Sequence, residues 1–268
     1  LGRLARVDPQ TEAVTDVPGA TTPIAVGADA VFAGVYTRPD TIGSVDPSGA
    51  RVGTTVTVGG FPAGLAVDQG SVWVLDASGT LARLDAATGA VTGERALGSF
   101  GFAIAAGGGA VWVSGRTTDP AAGPLGSLYA PHTQAVLWRV DPTTLTLVAT
   151  IATGANCDRL DTSGGATWAS CGGTARKVDA VRNRLVNVRA DASNGIAVGD
   201  GAAWALSAHG TVIQLDAVTG RALATRSVPP GSEGIAVGDG ALWIANPHLH
   251  DAQTDRGTGS LLRVNLSS

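Results

Sequence analysis

The closest grouping of metal-capable side chains in this chain is "NPHLHDAQTD", residues 246–255. His248 and His250 are spaced i, i+2, with Asp251 directly behind them. On an extended segment alternate side chains share a face, so two imidazoles and a carboxylate there suit Zn²⁺ or another transition metal. The same spacing arises in any solvated loop, and no cysteine stands nearby in sequence. A divalent metal is thus the one cofactor the residues suggest, and a chain with none is the plainer reading.

Two further groups have polar side chains in unusual places. "DRLDT" puts Asp158, Arg159 and Asp161 where related stretches are apolar, and Asn194 and Glu233 stand at the matching position of two later stretches. Together they suggest a polar pocket, although capped loop ends or an Arg159–Asp161 pair that satisfies itself would read the same way. The insertion "GRTTDPAAGPLGSLYAPHTQAV", residues 115–136, carries Arg116, Tyr129 and His132. Long insertions in compact repeats often make contacts, and a tyrosine between proline and glycine suits an anchor. No nucleophile elbow, P-loop or dinucleotide fingerprint is present.

What must position these residues is a repeat. Residues 195–202 read "GIAVGDGA" and residues 234–241 read it again, each followed closely by a tryptophan. Aligned on that aromatic, six blocks recur, at Phe32, Trp73, Trp112, Trp168, Trp204 and Trp243, at intervals of 41, 39, 56, 36 and 39. Each block is an apolar run, a short Gly/Asp turn and a second apolar run, the pattern of a tight β-hairpin. A second block follows, such as "LARLDAATG" or "LWRVDPTT", in which Asp opens a turn into one more strand. One unit therefore holds four antiparallel strands, a to d from the inside outward, in about 40 residues.

The expected fold is all-β: one β-propeller domain over residues 1–268, of six four-stranded blades, or seven if sequence upstream is missing. A single blade has two apolar faces and needs neighbours on both, so each aromatic is expected between sheets. The last unit lacks a strand d, which Ala13–Val17 is expected to supply, while Leu4–Asp8 adds a spare c-like strand. The d–a and b–c connections share one face. Asp158, Asn194 and Glu233 stand on it just before strand a, where the first three units have Thr22, Ala63 and Phe102. His209, in "SAHGT", occupies the b–c turn of the fifth unit and is the one residue positioned to approach His248 and His250.

The stretches "GIAVGDGALWIAN", "SVWVLDASGTLARLDAATGAV" and "LWRVDPTTLTLVATIATG" resemble the YVTN, YncE-like and NHL-like bacterial β-propellers. The resemblance covers nearly the whole chain. It implies a propeller whose functions range over sensor domains, surface proteins, protein and carbohydrate binders, and a few enzymes. In the related virginiamycin B lyase-like group an acidic residue closely follows the strand-b aromatic and Mg²⁺ is held with His and Glu. Among "WVLD", "WVSG", "WASC", "WALS" and "WIAN", Asp76 is the acidic residue at that place.

Cys157 and Cys171 flank the turn of the fourth hairpin. Antiparallel pairing centres them on residue 164, within "TSGG", so they should face each other across strands a and b. The same register gives Ser193 and Ser207, then Ser232 and Asn246, all small enough for a tight site. A disulfide places the chain in an oxidising compartment; the alternative is a pair of buried thiols. A net charge of −4 without a basic run argues against nucleic acid or an anionic membrane surface as partner. No stretch is apolar enough to insert in a bilayer, and the opening "LGRLARVDPQ" has no apolar signal segment. The expectation is a secreted, surface or periplasmic module that binds a protein or a glycan. Its rivals are a metal-assisted lyase or hydrolase and a structural or sensor domain of a larger assembly.

Overall fold

The computed structural model describes residues 4–27, 30–46, 48, 50–98, 100–117, 133–246 and 259–266. Its described residues form β-strands and turns, and no helix among them is long and apolar enough to cross a membrane. The chain divides into two compact units, Leu1–Gly154 and Ala155–Ser268.

The first unit opens with a hairpin of β1 (Leu4–Val7) and β2 (Val14–Val17). Three four-stranded antiparallel sheets follow, each in chain order from one edge to the other. They are β3 (Ala20–Val26), β4 (Val31–Val35), β5 (Arg38–Asp46), β6 (Arg51–Thr57); β7 (Pro62–Asp68), β8 (Ser71–Asp76), β9 (Thr80–Asp85), β10 (Val91–Ala96); and β11 (Phe100–Gly107), β12 (Ala110–Arg116), β13 (Ala135–Val140), β14 (Leu147–Ala152). The second unit holds a fourth sheet, β15 (Cys157–Ser163), β16 (Ala166–Cys171), β17 (Thr174–Asp179), β18 (Arg184–Asp191), and a fifth, β19 (Gly195–Gly199), β20 (Ala202–Leu206), β21 (Thr211–Asp216), β22 (Ala222–Ser227). Its sixth sheet has three strands, β23 (Gly234–Gly238), β24 (Ala241–Asn246) and β25 (Ser260–Asn265). The fold is a six-bladed β-propeller, as the repeat predicts.

The supply of the last strand differs from expectation. Val14–Val17 pairs with Leu4–Val7, and among the described residues β25 is the outermost strand of its sheet. The reason lies in the sequence: "LARVDPQTEAVTDV" is itself a c–turn–d stretch, so its two strands satisfy each other through the shortest loop.

Local chemistry sets both kinds of turn. Between strands a and b, consecutive residues adopt positive φ, as in Gln69–Gly70 (47° and 73°), Asp200–Gly201 (50° and 74°) and Asp239–Gly240 (51° and 63°). That is the primed turn whose twist matches a hairpin. Between c and d, an aspartate ends strand c or directly follows it, and its carboxylate accepts N–H bonds from the turn. Asp85 takes those of Ala87 and Thr88, Asp141 those of Thr143 and Thr144, and Asp216 those of Val218 and Thr219. These bonds hold the carboxyls of Asp85, Asp141 and Asp216 below their ordinary value, with the Thr88 hydroxyl the largest contributor at Asp85.

Within each unit the cores lie between consecutive sheets. Phe32 packs with Leu65, Val72 and Leu84; Trp73 packs with Ile104, Val111 and Val113. Trp168 packs with Ile196, Ala203 and Leu215; Trp204 packs with Leu242 and Ile244. So the strand-b aromatic of one sheet fills the face of the next, and burial of such rings is the largest single apolar contribution per residue.

The inner strands add a finer fit. A Cβ placed on Gly64 would lie 2.9 Å from Ile104 Cγ2, and Cβ atoms on Gly195 and Gly199 would lie 2.7 and 2.6 Å from Ile235 Cγ2 and Val237 Cγ1. Glycines thus form sockets for the β-branched residues of the following inner strand. Trp243 departs from the pattern: it is half-buried, and nothing lies within 4 Å of a Cβ placed on Gly238.

Candidate functional site

Each inner strand enters its sheet through an irregularity at one place. Pairing slips between Thr21 and Ile24, Pro62 and Gly64, Gly101 and Ala103, and Cys157 and Arg159. In the last two sheets Asn194 and Glu233 precede the strand and donate N–H to the carbonyls of Leu206 and Ala245, which already face Gly195 and Gly234. The extra residue is therefore Asp158, Asn194 or Glu233 in the second unit, matching Ala63 and Phe102 in the first, with the Thr22–Pro23 pair in the first sheet. A bulge of this kind re-aims a side chain and stops the ladder. The positions that the repeat picked out are thus bulges on rigid sheets.

The second unit supports them with polar bonds. Asn194 Nδ2 donates to the Ser232 carbonyl at 2.7 Å, which ties the start of β19 to the loop before β23. Asp158 and Glu233 are exposed. Arg159 is exposed too, and its guanidinium donates to the Asp158 carbonyl at 2.9 Å. Cys157 and Cys171 are paired across β15 and β16 and bonded at 2.04 Å. At the same place in the next sheet, Ser193 Oγ accepts the Ala208 N–H. One sheet further, Ser232 Oγ donates to the Pro229 carbonyl and Asn246 Nδ2 to that of Pro230, both at 2.7 Å. The same loop ends are fastened covalently once and by hydrogen bonds twice. The repeat register located these residues, but their size was the only signal it gave.

Asp161 has a different role from the one the sequence suggests. It occupies the position facing Trp168 that is Ala197 opposite Trp204 in the next sheet. Its carboxylate accepts the Val198 N–H and the Thr162 N–H, each at 2.7 Å. Val198 lies on β19, so Asp161 caps a donor on the edge of the neighbouring sheet. Burial pushes its pKa up, and the two N–H bonds oppose the shift. The proposed Arg159–Asp161 ion pair is not formed: Arg159 bonds to the Asp158 carbonyl, and Asp161 to two amides.

Arg116, at the end of β12, donates through Nε to Thr133 Oγ1 at 3.1 Å and through Nη2 to the Thr133 carbonyl. With the Thr117–Gln134 bonds it clamps the base of the first insertion. Tyr129 and His132 lie outside the described residues, as do His248, His250 and Asp251. His209 is exposed in the β20–β21 turn, where its N–H meets Ser207 Oγ. Among the described residues no three His, Cys, Asp or Glu side chains come together as a metal set. Asp76, the acidic residue after a strand-b aromatic, accepts from the Ser78 hydroxyl and the Thr80 N–H, both at 2.7 Å. It is a turn cap.

No family model matches the chain, and no curated protein does. Solved structures do. BamB from Moraxella catarrhalis is similar at 16% identity with a TM-score of 0.59, covering 94% of this chain and 76% of that one. A chain of Kuenenia stuttgartiensis hydrazine synthase is similar at 13% identity with a TM-score of 0.70, covering 98% and 90%. In all, 1377 solved chains match, so the likeness establishes the architecture and no particular activity.

Proposed function

We propose that this chain is a binding or scaffolding module whose partner, a protein or a glycan, engages the bulged strand ends of the second unit. One observation carries the reading: Asp158 and Glu233 are exposed at equivalent bulges, with Asn194 bound into the backbone between them in sequence. Polar groups held on paired strands are pre-organised, which lowers the ordering cost of association. The Cys157–Cys171 bond supports an oxidising compartment, and so a secreted, surface or periplasmic setting. The similarity of fold to BamB accords with a scaffold, and the quoted repeats with a YVTN or YncE-like propeller acting as a single domain over residues 1–268. The turn-capping role of Asp76 counts against a lyase of the virginiamycin B type.

Site-specific photo-crosslinking tests the reading. A benzophenone side chain is placed in turn at Asp158, at Glu233 and, as a control at a c–d turn, at Val218. With the native extracellular and envelope fraction as the source of partners, discrete adducts are expected from the first two positions and not from the third. A soluble glycan library that competes with those adducts identifies a sugar partner. Equal labelling at all three positions, or none at Asp158 and Glu233, overturns the proposal.

A further inference from the structure

The first unit has an apolar trough that its own strands do not fill. About 180 Å³ in volume, it lies between β1 and the first sheet and is lined by Leu4, Arg6, Val17, Ile24, Val31 and Val45, among others. Ile24 and Val26 are 40% and 70% exposed. Their places in the repeat give the trough its meaning. Register pairs Val26 with Val31 and Val31 with Val45, as it pairs Val67 with Val72 and Val72 with Leu84. Ile24, Val31 and Val45 therefore correspond to Leu65, Val72 and Leu84, the side chains packed with Phe32. Their counterparts in the third, fifth and sixth sheets pack with Trp73, Trp168 and Trp204. Four times within the units this surface receives the strand-b aromatic of a neighbouring hairpin.

A second observation comes from β1. "LARVD" aligns residue by residue with "LARLD" of β9, so Arg6 stands where Arg83 does. Strand c places a cation directly opposite the strand-b tryptophan in four sheets: Arg83 faces Trp73, Arg139 faces Trp112, Lys177 faces Trp168 and Arg263 faces Trp243. Two of these guanidinium groups stack on the ring, each 5.5 Å from its centroid. Among the described residues β1 pairs with β2 alone, so its other edge offers backbone groups for pairing as well as a cation without its aromatic.

We propose that this trough is a docking site for a β-hairpin of another polypeptide. The hairpin's second strand pairs antiparallel with β1 and sets an aromatic ring opposite Arg6, over Ile24, Val31 and Val45. Its first strand carries small residues that accept Ile24 and Val26, as Gly64 accepts Ile104 and Gly199 accepts Val237. Backbone pairing supplies affinity, and the aromatic supplies specificity. The inner hairpins of this chain do not qualify, because each already has a third strand on the edge that β1 would need. The surface belongs to the first unit and is separate from Asp158 and Glu233, so its failure leaves the proposed function standing.

The probe is a peptide of residues 193–207 carrying Ser193→Cys and Ser207→Cys, closed by a disulfide that copies Cys157–Cys171. Isothermal titration against the full chain is expected to show saturable one-to-one binding. Val26→Asp, at an exposed position, abolishes it. Arg6→Ala weakens it about two- to fivefold, the range of a cation–π contact, and Trp204→Ala in the peptide weakens it by about tenfold or more. No saturable binding up to about 1 mM, or binding indifferent to Val26→Asp, overturns the proposal. A dimer in light scattering that Val26→Asp dissolves would overturn it as well, by assigning the trough to a second copy.

Discussion

Residues 195–202 and 234–241 have identical sequences and different surroundings. Both fold as the same hairpin, with φ of 50° and 74° at Asp200–Gly201 and 51° and 63° at Asp239–Gly240. Yet every residue of β19 is buried, whereas none of β23 is. Trp204 is 3% exposed, and its Nε1 finds no acceptor among the described residues. Trp243 is half-buried, donates to the Gly238 carbonyl at 3.1 Å and lies under Arg263. The octapeptide determines strand, turn and twist. Neighbouring sheets determine what it contributes to the core.

The sharpest way to break this comparison is to truncate both rings. Trp204→Ala is expected to cost about 3–5 kcal/mol, the range for emptying a large buried site. Trp243→Ala is expected to cost about 1–2 kcal/mol, in line with a ring only partly removed from water. Denaturant titrations measure both. Equal losses would mean that the face of β23–β25 is covered in solution. Next in size is the staple of the preceding hairpin. Replacing Cys157 and Cys171 together with serine frees a loop of 14-residue separation and is expected to cost about 3 kcal/mol. Transplanting it, as Ser193→Cys with Ser207→Cys, is expected to raise the thermal midpoint. A fall on transplanting would show that the two hairpins differ in more than their cover.

The smallest effect compares carboxylates. Those of Asp8, Asp85, Asp141, Asp179 and Asp216 have lowered pKa values, from backbone N–H bonds and, foremost at Asp85, the Thr88 hydroxyl. Their contribution to stability is present above 3.8, the ordinary aspartate value, and is lost as pH falls through the lower folded values. Asp161 is shifted the other way by burial, so it opposes folding increasingly as pH rises above 3.8 toward its raised value. Asp161→Asn removes that pH-dependent term while keeping an acceptor for one amide. The variant should therefore gain on the wild type as pH rises above about 4. A difference between the two that does not change with pH would refute the burial argument.

These contrasts also show which parts of the molecule could be read from the sequence. Primed turns, aspartate caps, strand identities and the Cys157–Cys171 bond are set by residues adjacent in sequence or paired across one hairpin, so spacing reveals them. Asp158, Asn194 and Glu233 were likewise found by register, since a bulge recurs at a fixed offset from the aromatic. The bond from Asp161 to Val198 spans two sheets and has no local signature, so the sequence by itself suggests an ion pair with Arg159 instead. The partner of the outer strand is illegible for a similar reason: composition marks Ala13–Val17 as an outer strand without saying which strand it pairs with, and that strand is Leu4–Val7.

The glycine sockets give the architecture a direction. On β7 and β19 a glycine receives the β-branched insert of the inner strand that follows, so the same fit recurs in both units. A duplication that adds one such unit brings its own fastening with it. Near-perfect copies such as the two octapeptides are therefore compatible with growth from a single ancestral leaf.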